Sequence, residues 1–138
     1  MTFLPLVVQA IVRLITTCAL ILVCDLLFIG RVMRDHYKQM FIRVQQGKEV
    51  QLRLFPALLA SILVAIGLWM ITLLDGKPWN LEYQKNAFVF GVSVFGIYNL
   101  TNLATLQGWS PMMAAIDTTY GTILCTTVYA VGTLIPRF

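Results

Sequence analysis

Long apolar stretches separated by short polar segments dominate the sequence. Four of them cover about residues 4–30, 54–74, 87–106 and 111–135. A helix of about 20 apolar residues, rising 1.5 Å per residue, crosses the ~30 Å hydrocarbon layer of a bilayer. The pattern therefore predicts an all-α fold, a four-helix bundle integral to the membrane. A single transmembrane domain is expected over residues 1–138.

A shorter amphipathic pattern follows the first apolar stretch. Five apolar residues recur there at helical spacing: Met33, Tyr37, Met40, Phe41 and Val44. This spacing predicts a helical extension that continues the first span beyond the membrane or lies in the interface. Gly47 stands where a left-handed C-cap would end that helix.

The charged residues indicate an orientation. The chain is 59% hydrophobic and 12% charged, with a net charge of +4. Its first loop holds six basic residues: Arg31, Arg34, Lys38, Arg43, Lys48 and Arg53. Since Lys and Arg concentrate on the cytoplasmic side, the first and third loops are expected on the cytoplasmic or matrix side of a bacterial or mitochondrial inner membrane.

The basic segment is also a candidate contact surface. Its charge and amphipathicity are suited to anionic lipid head groups, and the residues expected to contact them are Arg31, Arg34, Lys38 and Arg43. The alternative is an interfacial helix that only anchors the topology. Membrane lipids and other membrane subunits are the expected partners, and nucleic acid is not.

The residues that usually carry out catalysis are scarce. His36 is the only histidine, and the three cysteines fall inside predicted spans, where they are expected to pack as small apolar residues. The sequence has no nucleotide-binding glycine pattern, no Ser-His-Asp candidate and no Cys-x-x-Cys. No cofactor, metal ligand or catalytic residue is predicted, and we expect no enzyme activity.

Polar residues inside the apolar stretches are the strongest functional signal. At 1.5 Å per residue, Asp25, Asn102 and Asp117 each lie about 8–9 Å inside the same membrane surface. A polar group in lipid must face protein or water, so these residues are expected to meet. The predicted intramembrane cluster comprises Asp25, Tyr98, Asn99, Asn102, Asp117 and Tyr120. Arg31 and Arg34 lie near enough in sequence to supply charge to Asp25.

Two interpretations of this cluster remain open. Polar side chains commonly hold membrane helices together through hydrogen bonds. The same groups could instead bind a ligand or a proton, or act in catalysis. Arg13, on the first span, is expected to reach the outer membrane surface or to pair with a partner subunit.

The stretch from Tyr98 to Leu106, with Trp109, Asp117 and Gly121, resembles the predicted membrane proteins catalogued as domain of unknown function 2177. In that family an aspartate late in the first helix matches Asp25, and an aromatic-tyrosine feature matches Tyr37. The resemblance implies a small four-span protein with no assigned reaction.

The chain departs from that family pattern at three positions. Family members typically carry an acid in place of Asn99, and tryptophan in place of Phe28 and Tyr120. Loss of the acid argues against a proton relay that needs two acids there, and the fold could persist after an ancestral activity is lost.

Three functions follow as hypotheses. The first is a structural or accessory subunit of a larger membrane assembly, favoured by the small size, the lack of catalytic motifs and the replaced acid. The second is a small transporter or proton-coupled carrier that uses the polar cluster as its site. The third is a lipid-acting membrane enzyme with Asp25 or Asp117 as general base.

Overall fold

Helices are the regular secondary structure of the part of the chain that the structure describes, and short turns join them. The computed structural model describes residues 3–48, 51, 53–74 and 77–135, and these contain no strand. The helices are α1 (Phe3–Leu27), α2 (Arg34–Val44), α3 (Leu54–Thr72), α4 (Leu81–Thr105) and α5 (Pro111–Gly132), with a π-helical turn at Phe28–Val32 after α1. The predicted all-α class is confirmed.

Among the described residues, three helical segments are long and apolar enough to cross a membrane: Leu6–Val32, Leu54–Thr72 and Leu81–Thr105. They correspond to the first three predicted spans. Helix α4 begins at Leu81 rather than near residue 87, because the Asn80 side chain caps it by accepting the Glu82 N–H at 2.7 Å.

The fourth apolar stretch forms α5 but is not among those three segments, so the four-span bundle remains a prediction. Helix α5 packs against α1, α3 and α4 and has more buried residues than any other described helix. Several of its threonines donate within the helix, as from Thr119 to the Ala115 carbonyl and from Thr122 to the Thr118 carbonyl, both at 2.8 Å. Thr118 donates instead to the Phe95 carbonyl of α4 at 3.5 Å. A helix shielded by its neighbours, with most of its threonine hydroxyls paired, tolerates a less apolar composition.

Helices α4 and α5 form a closely packed hairpin. The Ser110 side chain accepts the Met113 N–H at 3.3 Å, and Pro111 is the first residue of α5. At the crossing, a Cβ built on Gly91 would lie 2.7 Å from the Thr122 Cα. The missing side chain at position 91 therefore sets the distance between the two helices.

The main core lies where four helices meet. Its buried members are Ile21 on α1, Ala65 and Leu68 on α3, Leu73 directly after it, Ala87 on α4, and Leu124, Cys125, Val128 and Tyr129 on α5. The Tyr129 hydroxyl accepts the Asn80 N–H at 2.9 Å, so this phenol also satisfies the backbone ahead of α4.

Helix α2 packs on the end of this bundle. A bend at Met33 separates it from the π-helical turn, and its buried Tyr37 and Met40 contact Trp109, Met113 and Ala114. The predicted amphipathic helix is therefore present, but it does not extend α1 in a straight line. It ends as predicted, with φ of 55° at Gln46 and 87° at Gly47.

Candidate functional site

Asp117 lies at the centre of the polar residues that the fold brings together. It sits on α5 beyond the capped first turn and is 8% exposed. Tyr37 of α2 donates a hydrogen bond to its Oδ1, and Asn99 Nδ2 of α4 donates to its Oδ2 at 2.6 Å. One carboxylate thus connects three helices.

Asn99 connects this carboxylate to two further groups. Its Nδ2 also donates to the Phe95 carbonyl at 3.0 Å, and its Oδ1 accepts the Trp109 indole N–H at 3.4 Å. Asn99 is 2% exposed, so all of these bonds are shielded from solvent and lipid. We call Tyr37, Asn99, Trp109 and Asp117 the Asp117 network.

A second pair lies one helical turn further along α5. The Tyr120 hydroxyl donates to Asp25 Oδ1 at 2.9 Å, and the Tyr120 ring stacks on Phe28 with centroids 3.8 Å apart and planes at 3°. Phe28 opens the π-helical turn, a feature that often occurs at functional sites. Asp25 thus meets α5 at Tyr120, three residues after Asp117.

Tyr98 and Asn102 form the margin of the cluster. Tyr98 is 50% exposed and meets the Trp109 ring edge-on, with ring centroids 5.8 Å apart. Asn102 is partly buried, and the structure places Asn99, one turn deeper, against the Asp117 carboxylate. Four of the six residues of the predicted cluster thus form two hydrogen-bonded pairs, Asn99 with Asp117 and Tyr120 with Asp25.

Nearly the whole chain matches one protein family. A family model described as "Predicted membrane protein (DUF2177)" matches residues 10–134, nearly the whole chain. The chain belongs to this family. No curated protein and no solved structure matches it. Its family and its helices therefore make it a membrane protein, and the predicted resemblance is confirmed.

Two members of the Asp117 network, Tyr37 and Trp109, lie outside the polar cluster that the sequence predicts. The spacing places Tyr37 on the apolar face of α2, and Trp109 lies in the short turn before α5. Neither lies inside a predicted span, and only the packing of α2 against the α4–α5 turn brings both to Asn99 and Asp117. The signal in the sequence was the tyrosine on an otherwise apolar helix face.

The Tyr37 hydroxyl is suited to act as a permanent donor. Burial is the main cause that raises the pKa of Tyr37, and its hydrogen bond to Asp117 raises it further. The phenol therefore keeps its proton across the physiological pH range. With Asn99, it supplies a donor to each oxygen of the carboxylate.

One basic residue, Arg13, lies in different surroundings from those expected, and the basic residues of the first loop do not. Arg31, Arg34, Lys38 and Arg43 are exposed, which leaves them free to meet head groups, and Asp25 takes Tyr120 as its hydrogen-bond donor. Arg13 is only 4% exposed, so the expectation that it reaches the membrane surface is wrong. The guanidinium lies among the helices instead.

Proposed function

We propose that this protein is a structural or accessory subunit of a larger membrane assembly, with its first and third loops on the cytoplasmic or matrix side. The observation that carries the proposal is the first half of α3. From Leu54 to Ala60 every residue is exposed, with Phe55 at 77% and Leu54 at 66%. The residues that α3 contributes to the buried core, Ala65 and Leu68, lie in its later part.

Such an apolar half-helix offers a continuous surface for a partner helix. Packing between membrane helices depends on close side-chain contact rather than on escape from water, so a free helix face can accept a partner of matching shape. The Asp117 network supports the same proposal, because each oxygen of its carboxylate already accepts a hydrogen bond from a protein donor.

Site-specific photocrosslinking in native membranes tests the proposal. A photoreactive phenylalanine analogue would replace Phe55 in one variant and Ile97 in a control, since Ile97 is 66% exposed on α4. We expect position 55 to crosslink to one defined protein and position 97 to lack that product. If both positions gave the same crosslinked products, or if position 55 crosslinked to no protein, a partner on α3 would be contradicted.

A proton-coupled carrier is the second candidate, favoured because Asp117 lies on α5 only three residues before Tyr120, the donor to Asp25. Two carboxylates in one membrane leaflet can share and exchange protons. In proteoliposomes with a pH-sensitive dye, this candidate predicts proton flux that Asp117→Asn abolishes while the variant stays folded. No flux above empty liposomes would leave the structural role as the better account.

A further inference from the structure

A groove on the side of the bundle is the second notable surface. It lies where the end of α1 meets α5 and has a volume of about 410 Å³. Its lining is mainly apolar and aromatic: Phe28, Ala115, Ile116, Thr119, Tyr120 and Ile123. Residues 115–123 span about 12 Å along the helix axis at 1.5 Å per residue. The groove therefore follows α5 from near its start toward its middle.

Positive charge follows the groove residue Phe28 along the chain. Arg31 belongs to the same π-helical turn as Phe28, and Arg34 begins α2 immediately after the bend. Both arginines are exposed, and no acidic residue lines the groove. Arg31 lies at the end of the first candidate membrane segment, Leu6–Val32, and Arg34 two residues beyond it, where lipid phosphates are expected.

We propose that the groove binds an acyl chain of an anionic phospholipid whose phosphate is held by Arg31 and Arg34. An apolar groove lined by Phe28, with exposed arginines three and six residues further along the chain, suits a lipid in both polarity and charge. Guanidinium groups bind phosphate through paired hydrogen bonds, and a net negative head group gains more from them than a zwitterionic one. The inference does not depend on the proposed subunit role.

The head-group half of the proposal is tested by native mass spectrometry of the detergent-solubilised protein. The probe is an equimolar mixture of dioleoyl phosphatidylglycerol and dioleoyl phosphatidylcholine. We expect one preferred phosphatidylglycerol adduct on the unaltered chain. Arg31→Gln and Arg34→Gln should each lower that preference about fivefold, the equivalent of ~1 kcal/mol per basic residue.

Arg53→Gln is the matched control, because it removes an exposed charge from the same basic segment next to α3. It should leave the preference unchanged. Equal effects of Arg53→Gln and Arg31→Gln would show attraction by overall charge and would overturn the site.

The acyl-chain half is tested by filling the groove. Thr119→Phe places a ring in the groove, whereas Thr127→Phe adds the same ring at another exposed position of α5 that does not line it. Thr119→Phe should remove the adducts of both lipids. Thr127→Phe should leave both adducts in place. Circular dichroism and elution volume confirm that both variants fold. Equal lipid binding by the two folded variants would overturn the proposal.

Discussion

Tyr37 Oη donates a hydrogen bond to Asp117 Oδ1, although 80 positions separate the two residues in the chain. This bond joins α2 to α5, and Asn99 joins α4 to the second oxygen of the same carboxylate. The polar residues that looked costly in a membrane segment thus hold α2 against the end of the bundle.

Tyr37→Phe should weaken this attachment. The variant keeps the ring but leaves Asp117 Oδ1 without its donor, and a hydrogen bond to a charged group contributes roughly 1.5–3 kcal/mol. We expect the free energy of unfolding in detergent to fall by about 2 kcal/mol. Tyr98→Phe is the control, because Tyr98 is half exposed and does not belong to the Asp117 network. Equal stability of the two variants would argue against the attachment.

The two asparagines of α4 should differ in importance. Asn99→Leu removes the donor to Asp117 Oδ2 and the acceptor of the Trp109 indole, so it leaves two buried polar groups without a partner. Asn99→Leu should lower the free energy of unfolding by about 2 kcal/mol or more, and Asn102→Leu by less than about 1 kcal/mol. Chemical denaturation followed by tryptophan fluorescence measures both. A larger loss from Asn102→Leu would place the network elsewhere.

Tyr120 is expected to stabilise through two separable contacts. Tyr120→Phe keeps the stack on Phe28 and removes only the hydroxyl donated to Asp25, whereas Tyr120→Leu removes both. We expect the free energy of unfolding to fall by about 1 kcal/mol in Tyr120→Phe and by at least about 2 kcal/mol in Tyr120→Leu. The thermal midpoints of the purified variants give the order. If Tyr120→Phe were as damaging as Tyr120→Leu, the stacking would contribute nothing.

Two glycines of α4 provide a matched test of helix packing. A Cβ on Gly91 would meet the Thr122 Cα at 2.7 Å, whereas the nearest atom to a Cβ on Gly96 is Thr118 Cγ2 at an ordinary 3.8 Å. Gly91→Ala should cost roughly 1–3 kcal/mol, because the α5 backbone would have to move. Gly96→Ala should be neutral or mildly stabilising, since alanine is the better helix former. Indistinguishable unfolding curves would contradict the close approach.

The sequence predicted the apolar helices, because they follow from local periodicity. It also predicted the Gly47 stop, which is a local backbone feature. The common depth of the polar residues stays a prediction. The site role of the cluster stays a prediction, although the structure joins Asn99 to Asp117 and Tyr120 to Asp25.

Long-range packing explains what the sequence did not reveal. The bend at Met33 turns α2 back onto the α4–α5 turn, and that single event brings Tyr37 to Asp117. The burial of Arg13 likewise depends on which face of α1 the other helices cover. Neither outcome is encoded in the spacing of residues within one helix.

The native mass of the protein in mild detergent tests the central proposal most directly. The protein would be extracted from the membranes in which it is made, separated on a native gel, and its companions identified by mass spectrometry. The account predicts that it migrates stoichiometrically within a larger membrane assembly. Migration alone, or only with copies of itself, would contradict the subunit role and leave Asp25 and Asp117 as the place to search for a ligand.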